Sequence, residues 1–306
     1  MESYDLIIVG AGPAGLAAGL YAGRSRLKTL LLESMMPGGM AAVTDALENY
    51  PGVGLISGPE LTERMLEQMK EFGAEVATGE VKQLTARERS FGVSTAGGEY
   101  GCKALIAAMG TSYRRLGVPG ESEFAGRGVS YCATCDGPFY KDKEVAVVGG
   151  GDSALQEALF LTRFASKVYL IHRRDEFRAV PVLSERVRAH DSIECLFSHT
   201  VESIEGVGGV ESLRLHNKKT GETRVLQVPG VFIFIGLEPR TAILKGVAEL
   251  DEQGFVLTDQ DMKTNVRGLL AAGDCRVKSL RQVSTAVGDG ATAAFTAYKY
   301  VEENDW

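Results

Sequence analysis

At 306 residues the chain is longer than one ordinary domain of roughly 100–200 residues, so two domains are expected. A net charge of -7 leaves no basic footprint for nucleic acid, no run nears the ~18 apolar residues that span a bilayer, and the acidic start lacks the basic region of a signal peptide. Neither nucleic acid nor membrane is an expected partner, cytoplasm is the expected compartment, and five cysteines are too few for a disulfide scaffold.

Asp5–Val9 is a short apolar run that ends at Gly10 and reads as a buried parallel strand. The glycine turn Gly10-Ala-Gly-Pro-Ala-Gly15 follows, then a helical pattern over Leu16–Arg24 and a second strand over Lys28–Glu33. In such a βαβ unit the first glycine allows the tight turn, the second lets backbone approach a pyrophosphate, and the third lets helix pack on strand. Gly10, Gly12, Pro13, Ala14 and Gly15 are therefore expected to cradle a dinucleotide, read as FAD, with Glu33 accepting from ribose hydroxyls. Pro37–Met40 is a loop of backbone amides suited to a cofactor ring, which makes Gly39 and Met40 candidates, and Glu48–Gly52 is a turn carrying Asn49. Leu61–Phe72 is expected to be an amphipathic helix with Leu61, Met65, Met69 and Phe72 toward the core. Short strands over residues 75–100 and a buried strand from Ala104 to Met109, ending at Gly110, lead back to the first sheet.

Cys132-Ala-Thr-Cys135-Asp136 holds the one spaced cysteine pair. A zinc site needs two more ligands, and no second CxxC or His pair stands at suitable spacing. Inert buried thiols are another alternative; a redox dithiol is the reading preferred here. A CxxC cysteine near a helix N-terminus supplies thiolate, which attacks a disulfide through a mixed disulfide. Asp136 is a candidate to protonate the leaving thiolate, or else a helix cap.

Glu144–His172 lies over Asp5–Glu33 without a gap at a shift of 139 positions, and Val9, Gly10, Gly12, Leu16, Leu20, Arg24, Lys28 and Leu31 meet identical residues. The chain thus repeats a nucleotide-binding unit, with Gly150, Gly151, Asp152 and Ser153 in its turn. The two units differ at the end of the second strand. Glu33 suits free ribose hydroxyls, whereas His172, Arg173, Arg174 and Arg178 suit the 2′-phosphate of NADPH.

Residues 193–228 alternate in the manner of a small antiparallel sheet, and Val231–Gly236 is a buried strand. Gly268–Asp274 is a strand ending in Gly-Asp, where Asp274 is placed to accept from a flavin side-chain hydroxyl. Arg281, Gln282 and Val283 open a helix whose Ala286, Gly288, Gly290 and Ala294 permit close approach to a ring or phosphate. The expected fold is α/β, with two Rossmann-like (three-layer ββα) dinucleotide-binding domains. The NADPH domain, residues 114–239, is inserted into an FAD domain built from residues 1–113 and 240–306.

Together, Gly10–Gly15, Gly38-Gly39, Cys132–Asp136, Gly149–Ala154, His172–Arg178, Gly273-Asp274 and Arg281–Val283 resemble the bacterial low-molecular-weight thioredoxin reductases over nearly the whole length. The resemblance implies a homodimeric FAD enzyme that passes hydride from NADPH to flavin, then to a disulfide, then to thioredoxin. It implies that Cys135 faces the flavin, Cys132 attacks thioredoxin, and Asp136 is the acid/base. It also implies that Ile235 joins the NADPH contacts, and that the two domains rotate about hinges near 113–118 and 237–241. No metal is implied. Met40, Met109 and Arg240 depart from residues common in that family. Alternatives are a reductase of this fold with another donor or a small dithiol substrate, a ferredoxin–NADP reductase, and a flavin redox sensor without turnover.

Overall fold

A computed structural model describes residues 2–44, 47 and 49–304, with the side chains of Thr134 and Cys135 outside the description. In chain order it runs β1 (Glu2–Val9), α1 (Pro13–Arg24), β2 (Thr29–Glu33), α2 (Gly58–Glu71), β3 (Glu75–Thr78), β4 (Val81–Ala86), β5 (Phe91–Thr95), β6 (Gly98–Ala107) and β7 (Thr111–Tyr113). Next come β8 (Val129–Ser130), α3 (Ala133–Asp136), β9 (Glu144–Gly149), α4 (Asp152–Leu161), β10 (Lys167–His172), α5 (Pro181–Arg188) and β11 (Ile193–Phe197). The antiparallel strands β12 (His199–Glu205), β13 (Ser212–Asn217) and β14 (Thr223–Gln227) precede β15 (Val231–Phe234) and β16 (Leu237–Pro239). The strand β17 (Leu269–Ala271) and the helix α6 (Val283–Glu302) complete the chain. Two compact units result, one of Met1–Ser112 with Glu238–Trp306, the other of Tyr113–Leu237. The chain crosses between them in β7 and β16, which pair with each other.

In the first unit the sheet order is β3-β2-β1-β6-β5-β4, with β17 also on β6. Strands β3, β2, β1, β6 and β17 run parallel, while β5 and β4 fold back antiparallel. Leu6, Ile7 and Ile8 of β1 are fully buried, as expected for a strand covered on both faces. The register Val9↔Leu32 sets the end of β1 beside Glu33, and the Gly10 N–H donates to the Leu32 carbonyl at 2.8 Å. Ala14, Leu16 and Ala18 of α1 pack in one core cluster with Ala286, Ala293, Ala294 and Ala297 of α6. That contact is close because a Cβ on Gly290 would come within 2.1 Å of the Ala14 carbonyl oxygen.

The Leu61–Phe72 expectation holds for Leu61 and Met69, which are 4% and 0% exposed, but fails for Phe72. Phe72 caps α2, is 44% exposed, and lies under the Arg24 guanidinium at 5.3 Å. The hydrophobic period ends with the helix, one residue earlier.

The second unit has a parallel sheet of order β11-β10-β9-β15-β8 and a separate antiparallel sheet β12-β13-β14. Residues 193–228 are therefore not one small sheet. Ile193–Phe197 joins β10 in parallel, with Leu170↔Cys195, because its Leu196 packs on the core of the nucleotide-binding sheet. A short edge strand carries the same alternation in either sheet, so periodicity cannot tell them apart.

Candidate cofactor sites and redox pair

The three glycines of the first turn meet three different surroundings. Gly10 has φ +105°, and a Cβ there would lie 2.4 Å from the Ala108 oxygen. A Cβ on Gly15 would lie 1.8 Å from the Gly10 oxygen, so only glycine lets α1 start against the strand end. Around Gly12 the space is open, the Gly39 Cα at 3.9 Å being the one neighbour. That opening lies at the N-terminus of α1, where Pro13 occupies the first turn. Backbone N–H groups and the helix dipole there suit a phosphate.

Glu33 accepts the Ala11 N–H at 2.7 Å through Oε2, and Ser34 Oγ and the Met35 N–H, each at 3.1 Å, through Oε1. It thus holds the turn in shape. A carboxylate has about four acceptor positions, so one is left for a ribose hydroxyl. The Gly38 N–H donates to the Ala11 carbonyl at 2.7 Å and brings Gly39 and Met40 alongside. Thr111 Oγ1 donates to Met40 Sδ at 3.4 Å.

Asn49 and Gln282 stand far apart in sequence, yet Asn49 Nδ2 donates to Gln282 Oε1 at 2.9 Å. Gln282 also begins α6 in a capping box with Thr285. Asp274 follows Gly273 at the end of β17, and its Oδ1 is buried with no hydrogen-bond partner. Burial pushes its carboxyl up, against the pull of Lys278 and Arg281 and with help from Asp289. Arg281 lies over the Phe255 ring at 4.2 Å, beside Val283 at the head of α6. Gly110 has φ +62° with open space around it, and its carbonyl accepts the Arg240 N–H at 3.1 Å.

The orphan acceptor of Asp274 and the open Gly12 fit a dinucleotide bearing both hydroxyls and phosphates, so the residues present suit FAD. Asp289 was missed by the sequence. It is 7% exposed and accepts from the Gly273 N–H, Arg276 and Lys278. The available signal was an acid placed among small residues on a helix that packs against α1.

In the second unit Gly149 and Gly150 are crowded and Gly151 is open. A Cβ on Gly150 would come within 2.2 Å of the His172 ring, and nothing lies within 4 Å of one on Gly151. His172 is 5% exposed and stacks toward Phe177 with ring centroids 5.9 Å apart. Burial lowers its pKa, the backbone of Glu176 opposes that, and Arg178, Arg174 and Arg173 lower it further. The ring is therefore neutral at pH 7 and supports the turn from beneath. Arg173, Arg174 and Arg178 are exposed, and no acidic partner faces them among the described residues. The Arg178 N–H donates to the Gly150 carbonyl at 2.7 Å, and the Val180 N–H to Asp152 Oδ1 at 2.8 Å. Those two bonds hold the basic loop against the turn that carries Ser153. Ile235 is half-buried just past β15.

Cys132 is half-buried and disulfide-bonded, while Cys102, Cys195 and Cys275 are free. The role expected of Cys135 falls on a side chain outside the described residues. Cys132 leads into α3, and Ser130, 4% exposed, brackets it: its Oγ accepts the Cys132 N–H and donates to the Cys132 carbonyl, both at 3.1 Å. The Asp136 side chain makes no capping bond to the 3-10 turn that follows it.

Comparison with known proteins agrees with this arrangement. Residues 4–290 match the family described as pyridine nucleotide-disulphide oxidoreductase. The chain is 48% identical to a thioredoxin reductase of Peptoclostridium litorale, covering 98% of each. It is 47% identical to a thioredoxin reductase of Bacillus subtilis, covering 98% of this chain and 95% of the relative. The solved thioredoxin reductase of Lactococcus lactis superposes with a TM-score of 0.87 at 43% identity, covering 98% of this chain and 100% of that one. A family match over residues 4–290 and full-length relatives at 47–48% identity place this chain in the pyridine nucleotide-disulphide oxidoreductase family.

Proposed function

We propose that this chain is an NADPH-dependent thioredoxin-disulfide reductase with FAD as its prosthetic group. The carrying observation is the contrast between repeats: Glu33 at one strand end, Arg173, Arg174 and Arg178 at the other, with Cys132 on the unit that holds the arginines. The full-length likeness to thioredoxin reductases supports the same reading. The basic loop favours a phosphorylated nicotinamide donor over a ferredoxin.

FAD, when bound, supplies the two-electron chemistry that joins a nicotinamide to a disulfide. Gly10–Gly15, Glu33, Gly39, Met40, Asn49, Gly110, Asp274 and Arg281–Val283 hold and orient it. Gly150–Ser153, Arg173, Arg174, Arg178 and Ile235 receive NADPH, with His172 buried beneath the turn as its support. Cys132 and Cys135 form the exchanging pair. In the reduced pair the Cys132 thiolate attacks one sulfur of the thioredoxin disulfide and forms a mixed disulfide. Cys135 then displaces the second thioredoxin thiolate and re-forms the Cys132–Cys135 bond. Asp136 carries the proton that the departing thiolate takes up. The enzyme acts in the cytoplasm as a homodimer. NADPH turn and cysteines belong to one unit, so their alternating access to the flavin is assigned to the crossings β7 and β16.

The test is NADPH consumption by the holoenzyme with oxidised thioredoxin, run beside Cys135→Ser. Steady consumption that the variant loses supports the reading. Equal turnover by the variant, or none by wild type, overturns it.

A further inference from the structure

Asp274 and Asp289 share a neighbourhood with Lys278. Asp289 accepts Arg276 Nε at 2.9 Å and Nη2 at 3.0 Å, Lys278 Nζ at 2.7 Å, and the Gly273 N–H at 3.0 Å. The ion pairs are enclosed, with side-chain exposures of 15% for Arg276, 7% for Lys278 and 9% for Asp289. Asp274 follows Gly273 directly, and Lys278 acts on its charge as well. Yet Asp274 Oδ1 has no partner. A buried carboxylate oxygen left bare is costly, since an unmade charged hydrogen bond forfeits more than a neutral one. The Lys278 ammonium is engaged by the carboxylate on α6 instead.

We propose that Asp289 is a positioning residue of the flavin site, which fixes the Gly273 N–H and engages Lys278 so that Asp274 Oδ1 stays open to a ligand hydroxyl. The inference rests on the reading that Asp274 belongs to the FAD site. Without the Asp289 carboxylate, Lys278 turns to Asp274 and fills the acceptor meant for the ligand.

The experiment measures FAD affinity of the flavin-stripped full chain by quenching of flavin fluorescence, in wild type, Asp289→Asn, Lys278→Met and the double variant. Asp289→Asn is expected to weaken FAD binding on the order of tenfold or more. The double variant is expected to recover most of that loss, because the competing ammonium is gone. Lys278→Met alone, in which Asp289 keeps Arg276 and the Gly273 N–H, is expected to bind FAD like wild type, and this arm stands even if Asp289→Asn fails to fold. Unchanged affinity in Asp289→Asn overturns the inference. So does a loss that the double variant does not recover, which would leave Asp289 a framework residue only, and so does a loss in Lys278→Met. Wild type that binds no FAD overturns the assignment of the flavin site itself.

Discussion

The Tyr131 hydroxyl donates to Glu121 Oε1 at 2.7 Å, and Glu121 is 2% exposed. The same carboxylate accepts the Leu116 N–H at 2.9 Å through Oε1 and the Gly117 N–H at 2.7 Å through Oε2. Tyr131 precedes Cys132 and stacks on Tyr113 with centroids 5.7 Å apart and planes 18° apart. One buried acid thus ties the first residues of the second unit to the segment that presents the cysteine. Burial and the bond to Glu121 raise the Tyr131 pKa, so its hydroxyl stays a donor throughout the working range. In Glu121→Gln one amide oxygen can keep two of these bonds, but the amide nitrogen then meets an N–H donor. We expect a loss of about 1–3 kcal/mol in denaturant unfolding, and about 1 kcal/mol for Tyr131→Phe. A glutamine variant as stable as wild type would show that Glu121 is not the tie.

Adjacent glycines of the second turn separate folding from binding. Gly150→Ala drives a methyl into the buried His172 ring and is expected to destabilise the unit. Gly151→Ala meets nothing in the protein, so its thermal unfolding should match wild type within a degree or two, while its KM for NADPH rises because the methyl occupies the phosphate's approach. Equal KM values in Gly151→Ala and wild type would remove the pyrophosphate from this turn.

Arg173→Gln and Arg174→Gln test the choice of donor. Both side chains are exposed, and their loss is expected to leave unfolding unchanged. Each removes a charge-assisted bond to the 2′-phosphate, so kcat/KM with NADPH should fall on the order of tenfold while that with NADH stays constant. A parallel fall with both donors would mean that the loop reads something other than the 2′-phosphate.

The glycine turns were legible because each glycine answers a demand that sequence spacing encodes: Gly15 must clear the Gly10 oxygen, and Gly12 must leave room. Register did the same for Glu33, which falls one residue past the Val9↔Leu32 pair. His172 was half legible. Its position beside the arginines predicted a phosphate contact, but the strand is buried through to its last residue, and the ring lies beneath Gly150. The Asn49–Gln282 bond was not legible as a pair, because the fold alone brings a loop after β2 to the head of α6. Asp289 escaped notice because its cations, Arg276 and Lys278, lie in a loop where charge normally signals solvent.

Two carboxylates give stability opposite dependences on pH. Burial by itself would raise the Asp289 carboxyl, but the bonds from Arg276 and Lys278 outweigh it and hold the group below the usual aspartate range. Its folded value is below the unfolded one, so its contribution is present above the ordinary carboxylate range and is lost as pH falls through the folded value. Glu157 in α4 has an unpartnered buried Oε2, and burial alone raises it. Here the folded value lies above the unfolded one, so stability is full in acid and declines as pH rises through the folded value. Glu157→Gln removes a charge the fold does not satisfy. We expect its Tm to exceed wild type by roughly a few degrees at pH 8 and to approach wild type near pH 4. Asp289→Asn should show the reverse, a deficit at neutral pH that shrinks only in strong acid. Thermal scans across that range check both at once; a Glu157→Gln Tm below wild type at pH 8 would mean that the carboxylate is partnered when charged.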